Sequence, residues 1–594
     1  MSSCRLLAIA PLCGLLLLPL AGHTQSSSDD ATGPTIAVSI SGLEDQQQLS
    51  QNVEAFLKIL RLDGESAPSE GRVRFLHSQA EEQIRSALQP FGYYKPEIET
   101  ELTLDNNQWQ ARYQIDPGPP VQIGELKVEI SGDGRDDPQY QRVLDNLPLA
   151  EGDILVQPQY EDTKQAFQSI AAERGYFDAR FTSNQIRIDI QAYDAAVDLT
   201  FDSGRRYRFG EVSFDQEILD NGFLDRFVDI EPGQPYTSDD LLKLQSDLIG
   251  SEYFSHVEVS APAEAAEDYT IPVTVRLEPV KKHQYVFAIG YGTDTGARGK
   301  IRVENRRVNR RGHRYNAELQ ISQIKQSLTA EYLIPGSDPR TDSYTVRGGY
   351  IIEDSDVKKA ETLKLGGTYQ TQDGDWLKVY SLDFQREIFE VSGEETTTDL
   401  LIPGLSWTRV KADDRLDVRQ GSRLNFQLRG AQEFLLSDIT FVQASVSTKW
   451  IWPLGEKGRL LLRAEAGTTI FQDNNDFEKL PLTLRFYAGG DNSVRGYDLD
   501  SIGPRNDEDD VIGGKHLLVG SVEYDYEFRE NWRLAAFIDA GDAFDDEAPE
   551  PKHGAGFGVR WQSPVGPIRV DLASGLDRPP GDTFRIHLSI GPDL

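Results

Sequence analysis

Arg485 to Tyr497 reads RFYAGGDNSVRGY. The string lies in a polar insertion, roughly Asp473 to Gly514, between two segments with the alternation of β-strands. Connections in compact domains run to about 4–6 residues, so an insertion this long calls for a role. Its centre is Val494-Arg495-Gly496-Tyr497. Arg495 is one fixed cation among Asp491, Asp498, Asp500, Asp507, Glu508, Asp509 and Asp510, and its planar fork suits a carboxylate partner. Gly489, Gly490 and Gly496 permit tight backbone bends. An isolated Arg-Gly-Tyr would read as a mobile surface loop, but the whole string needs a scaffold around it.

That scaffold is legible on both sides of the insertion. From about His283 to Leu594 the helical period gives way to period-two alternation punctuated by Gly, Asp, Asn and Pro. Tyr285, Phe287, Ile289 and Tyr291 alternate with small residues; Phe584, Ile586, Leu588 and Ile590 alternate with Arg585, His587 and Ser589. A soluble β-sandwich shows the same alternation against a core. Here many polar members are charged and the series is unbroken, which favours a membrane barrel with apolar side chains towards lipid and polar or small ones towards the lumen. We count about sixteen segments, an even number as bacterial barrels prefer. The insertion falls between the eleventh and twelfth. The acidic stretches Glu353 to Thr362 and Arg386 to Thr398 read as long connectors outside the membrane, and Pro564-Val565-Gly566-Pro567 as a tight turn.

Ahead of the barrel the chain repeats itself. Gly92-Tyr93-Tyr94, Gly175-Tyr176-Phe177 and Glu252-Tyr253-Phe254 each follow a helical stripe and precede alternating segments. The stripes are Phe75 to Leu88, Tyr160 to Ala172 and Leu241 to Leu248. Each unit reads strand, helix, helix, strand, strand, with boundaries at 35–118, 120–204 and 206–280. Units this small bury little and leave sheet edges open, ready to add an extended peptide. The expected fold class is therefore α+β repeats followed by an all-β membrane barrel over residues 283–594.

Residues 1–25 read as a secretory signal peptide, with Arg5 ahead of an apolar run too short to span a bilayer. Both cysteines, Cys4 and Cys13, lie within it. A net charge of −35 argues against nucleic acid as a partner. No metal, phosphate-loop or nucleophile motif appears, and 8 His in 594 residues show no ligand spacing, so neither a metal, a cofactor nor an enzyme activity is expected.

Taken with these surroundings, RFYAGGDNSVRGY resembles the inward-folding loop of the BamA/TamA family of outer-membrane assembly proteins, and the repeats resemble that family's periplasmic POTRA domains. The resemblance implies three POTRA domains and a 16-stranded antiparallel transmembrane β-barrel in the outer membrane. Gly92 and Gly175 are then the POTRA markers. Val494, Arg495, Gly496 and Tyr497 form the lumenal loop motif, and Ser521-Val522-Glu523-Tyr524 and Phe537-Ile538-Asp539-Ala540-Gly541 supply its partners Glu523, Asp539 and Gly541. A lumenal carboxylate pair without a cation would repel itself, and Arg495 between the two relieves that. The string Gly554 to Asp571 matches the region before the closing strand and reads as structural, without chemistry.

To close the sheet, Phe584 to Leu594 must pair with Tyr285 to Tyr291. Gly591-Pro592 weakens that seam, because Pro lacks a donor. The expected lateral seam is Tyr285, Phe287, Ile289 and Tyr291 against Phe584, Ile586, Leu588, Ile590 and Gly591. Three units and this loop resemble the TamA branch in particular. That implies assembly of outer-membrane clients of the autotransporter type, with outer-membrane lipid and a TamB-like inner-membrane-anchored protein as partners. Alternatives are a two-partner-secretion-like pore for one soluble protein, TamB-linked lipid transport, and an outer-membrane hydrolase using Glu523.

Overall fold

The computed structural model describes residues 34–414, 417–545, 548–563, 566–578 and 584–590. The expected signal peptide, the Pro564-Val565 part of the expected turn, and Gly591 and Pro592 lie outside the described residues. The chain divides into two compact units, one of residues up to about Arg206 and one from Tyr207 onward.

In the first unit, Thr35–Ser41 runs parallel to Gln108–Asp116, which pairs antiparallel with Glu97–Asp105. The last strand of the repeat thus sits in the middle and both other strands present an open edge. A parallel pairing needs a crossover, and the helices supply it. They cover one face of the sheet around Ile36, Val53, Ile84, Leu88 and Tyr113. Residues 122–202 repeat the arrangement, with Arg180–Asp189 and Asp194–Asp202 as the hairpin. The stripe expected as one helix from Phe75 to Leu88 is two, Glu70–Ser78 and Ala80–Leu88, meeting at Gln79. The Ser78 hydroxyl donates to the Phe75 carbonyl at 2.8 Å, the local competition for backbone that bends helices. A further helix, Gln47–Phe56, precedes them.

Gly92 and Gly175 adopt φ of +89° and +77°, ending the helix in a left-handed turn. A Cβ on Gly92 would lie 2.9 Å from the Leu155 carbonyl oxygen, so the close approach also demands glycine. Glu252 occupies the corresponding position of the third repeat with φ +60°.

The second unit holds that third repeat and the barrel. Arg208–Asp215, Phe254–Ser260 and Thr270–Pro279 form its three-stranded sheet. Sixteen strands from His283–Gly292 to Phe584–Ile590 then pair antiparallel, each with its neighbours in sequence. Outward-facing side chains are apolar and exposed, Phe287 and Ile289 at 72 % and 95 %. The stretches expected as long connectors are strand instead. Ser343–Asp354 and Lys359–Asp373 leave a tight turn between them, and Trp376–Val391 and Glu394–Ala412 leave only two residues. Thr396, Thr397 and Thr398 favour strand, and Glu387, in the stretch expected as an outside connector, is fully buried inside the barrel.

The two ends of the sheet are not joined by a ladder. His283–Gly292 pairs with the second strand and Phe584–Ile590 with the fifteenth, and the described residues record no pairing of the first with the last. The expected β-closure is absent there.

Candidate functional site

The insertion between the eleventh strand, Gly458–Phe471, and the twelfth, His516–Arg529, folds back into the barrel. Its ascending limb is apolar where it meets the wall: Leu480 and Leu484 pack against Leu400, Ile402 and Phe441, and Leu482 against Phe389. Buried Glu387 receives this limb: Oε1 accepts from the Thr483 backbone N–H at 3.2 Å, and Oε2 from the hydroxyls of Thr483 and Thr362 and the Gln385 amide. Arg485 holds the turn together. Its guanidinium donates to the carbonyls of Leu480, Ile512 and Glu478 at 2.9 to 3.0 Å and lies over the Phe477 ring. Single bridges Phe486 to Gly514 and Ala488 to Ile502 make the base a short ribbon.

At the tip Gly496 has φ +96°, and a Cβ there would sit 2.6 Å from the Gly575 nitrogen. Only glycine lets the loop lie this close to the wall. Arg495 is thereby carried into the lumen, 6 % exposed. Its Nε and Nη2 donate to the two oxygens of Asp539 at 2.7 and 2.9 Å, a bidentate fork. Nη1 donates to Glu523 at 2.7 Å and to Asp571 at 3.2 Å. The Arg495 backbone N–H donates to Asp539 at 3.0 Å, and the guanidinium carbon stands 3.3 Å from the centre of the Phe537 ring. Arg560 completes the set from the other side, donating to Glu523 at 2.9 Å and pairing with Asp571. Two guanidiniums thus interleave three carboxylates with nearly every polar atom bonded, the condition under which buried ions are tolerated.

The structure brings Arg495, Glu523 and Asp539 together. Gly541 acts sterically, because a Cβ there would press on Val494 at 3.0 Å. Asp571, Arg560 and Phe537 lie in strings quoted from the sequence but have no assigned role in the cluster there. The string Gly554 to Asp571, read as structural, carries two of them, and a Cβ on Gly554 would fall 1.9 Å from the Arg495 carbonyl oxygen. The signal was available: Arg560 and Asp571 lie at inward positions of two facing strands, Lys552–Ser563 and Gly566–Gly575.

Tyr497 leaves the cluster, meeting Asp577 at 3.3 Å. The seam residues Tyr285, Phe287, Ile289, Tyr291, Phe584, Ile586 and Ile590 face outward and are exposed. Leu588 N–H donates to the Thr293 hydroxyl at 3.2 Å, which places Leu588 beside Thr293 rather than beside Tyr285 to Tyr291. Between them Asp294, Asp491 and His587 each offer an atom within 4.8 Å of the others. His587 Nε2 accepts from the Gly496 N–H at 2.9 Å, which leaves the ring proton on Nδ1, facing Asp491. The nitrogen aimed at the carboxylates has no lone pair for a metal, so the trio works as a hydrogen-bonded group.

Residues 289–593 match the Omp85 superfamily domain, residues 37–117 the POTRA domain TamA domain 1, and residues 126–203 a POTRA family described as surface antigen variable number repeat. Among curated proteins, the chain is 25 % identical over 436 residues to the outer membrane protein assembly factor BamA of Nitratidesulfovibrio vulgaris, covering 68 % of this chain and 53 % of that one. It is 21 % identical over 652 residues to the BamA of Neisseria meningitidis serogroup B, covering 82 % and 80 %. This chain therefore spans about half the length of the first relative. Among solved structures, BamA from Haemophilus ducreyi lacking POTRA domains 1–3 superposes with a TM-score of 0.68 at 18 % identity, over 79 % of this chain and 99 % of that one, which shows a shared fold. With the barrel domain matched from its first strand to its last, the protein belongs to the Omp85 superfamily of outer-membrane proteins.

Proposed function

We propose that this protein assembles client proteins into the outer membrane through the seam between its first and last barrel strands. The observation that carries the reading is that no ladder joins those strands among the described residues. Unpaired backbone groups at bilayer depth must find partners, and an incoming client strand offers them. The POTRA units on the periplasmic side add to this, since each three-stranded sheet leaves two edges open to an extended chain. The relatives named as assembly factors support the same activity. Neither cofactor nor nucleotide is required, because folding of the client drives insertion, and no enzyme activity is assigned.

Within the superfamily we favour a TamA-type role, with autotransporter-type clients and a TamB-like partner. The support is the match of residues 37–117 to a TamA-named POTRA model. A secretion pore would need an open lumen, whereas here the loop folds into it and buries Arg495 against the wall.

The contact of Leu588 with Thr293 brings Tyr291 level with Ile590 across the seam. A disulfide between Tyr291→Cys and Ile590→Cys should abolish client insertion into liposomes, and reduction should restore it. Undiminished insertion by the oxidised protein would overturn the reading.

A further inference from the structure

We propose that Asp491, at the loop tip, is the latch that holds the lateral seam closed, in place of the missing strand ladder. The inference takes the seam reading above as its premise.

Among the described residues, one hydrogen bond runs directly between the two sides, from Leu588 N–H to Thr293 Oγ1 at 3.2 Å. The other links across the seam among the described residues pass through Asp491. On the first hairpin, the Asp491 backbone N–H donates to Asp294 at 2.8 Å and its carboxylate accepts from the Thr293 hydroxyl at 3.3 Å. On the last strand, the same carboxylate accepts from His587 Nδ1 at 2.5 Å. The Thr293 hydroxyl has one proton and two lone pairs, so it can donate to Asp491 while accepting from Leu588. Two strand ends and one loop residue are thus tied by a chain of bonds in which each donor has an acceptor.

The loop grips His587 at both ring nitrogens, through Asp491 and through the Gly496 N–H. Arg495, next to Gly496, is fixed to the strands Trp532–Phe544 and His516–Arg529. The loop therefore has three anchorages: the barrel wall, the last strand and the first hairpin. Asp498 also binds the last hairpin, through Arg578 and Arg585, but among the described residues it has no bond to the first strand. Of the loop's two aspartates here, Asp491 reaches both sides, so it acts as a positioning residue for both strand ends. Seam opening and loop release become one event, and the wall cluster can stay intact while the latch lets go.

Hydrogen bonds to a charged group are worth about tenfold or more each in a two-state ratio. Pulsed electron paramagnetic resonance between nitroxides at Tyr291 and Ile586, with the full chain in a bilayer and no client present, reads that ratio directly. The native latch should give one narrow distance distribution. Asp491→Ala should add a longer component, raising the open fraction about tenfold or more. Thr293→Val, which exchanges one hydroxyl for a methyl, should shift it the same way, and it carries the test if Asp491→Ala does not fold. Asp498→Ala should leave the distribution as in the native protein. Native distributions in the folded Asp491 and Thr293 variants, or equal opening in Asp498→Ala, would overturn the latch. Because distances are read without a client, that failure would leave the insertion result of the Tyr291–Ile590 crosslink standing.

Discussion

Arg495 concentrates the energetics of the loop. Removing one partner of a buried ion cluster costs about 3–5 kcal/mol, because the charges left behind lose their counter-ion. Arg495→Ala strands Asp539, which is fully buried, and should release the loop while the barrel, held by its own ladders, stays folded. Limited proteolysis between Asp498 and Asp510 checks it: cleavage should quicken by two to three orders of magnitude, roughly the same free energy, and unchanged resistance would count against the lock. Arg495→Lys should fall between, since an ammonium cannot fork onto Asp539 and reach Glu523 together. Gly554→Ala should mimic Arg495→Ala, because its methyl would occupy the place of the Arg495 carbonyl. The sequence makes Arg495, Glu523 and Asp539 legible because each lies in a recognisable string. Phe537, Arg560 and Asp571 also lie in quoted strings, but nothing local gives them a role. They meet Arg495 only through the register of three strands, as in Glu523 opposite Phe537 and Gly558 opposite Asp571.

At the scale of elements, period-two and period-3.6 patterns revealed the strands and most helices, and the misreadings have local causes. The acidic stretch Arg386 to Thr398 read as an outside connector because the loop that buries Glu387 is distant in sequence. The third repeat shows how tertiary contact overrides a local rule. Glu252 stands at φ +60° where the first two repeats place glycine, a conformation costing about 1–2 kcal/mol for a side chain with a Cβ. Its carboxylate meets Arg314 at 3.3 Å, but it is two-thirds exposed, and such a pair contributes about 0–1 kcal/mol. Backbone relief is the larger effect. Glu252→Gly should therefore leave the melting temperature of the full chain unchanged or raise it slightly, while Glu252→Ala, which keeps the strain and loses the pair, should lower it. A fall with Glu252→Gly would show that the Arg314 contact outweighs the strain.

Across the second unit as a whole, the third POTRA repeat is fastened to the barrel, and nothing in the sequence pattern announced it. Arg340, in the turn after the fourth barrel strand, Lys325–Pro335, donates to Asp229 at 2.6 Å and Asp247 at 3.0 Å of the repeat, and to Asp338 at 2.8 Å of its own turn. Arg314 lies 4.1 Å from the centre of the Tyr253 ring, and Arg310 pairs with Asp220 at 2.8 Å. The repeat is thus held at two barrel turns, which keeps its open sheet edges at a fixed distance from the barrel mouth. Hydrogen bonds from Arg340 and then Lys243 hold the Asp229 carboxyl down at about 2. An unperturbed Asp titrates near 3.9, so the folded state binds fewer protons than the unfolded one in between. The contribution of Asp229 is therefore complete above about pH 4 and is lost as pH falls towards 2. Because Asp229 is nearly half exposed, water screens this attraction and the docking rests on the whole set of contacts. Spin labels at Leu242 on the repeat and Leu328 on the barrel, both exposed, would report the docking. Their distance distribution should be the same at pH 7 and pH 4 and broaden as pH approaches 2. Arg340→Ala should broaden it already at pH 7, since Asp229 and Asp247 then lose their shared cation, and an unbroadened Arg340→Ala distribution would show that the arginine does not hold the repeat in place.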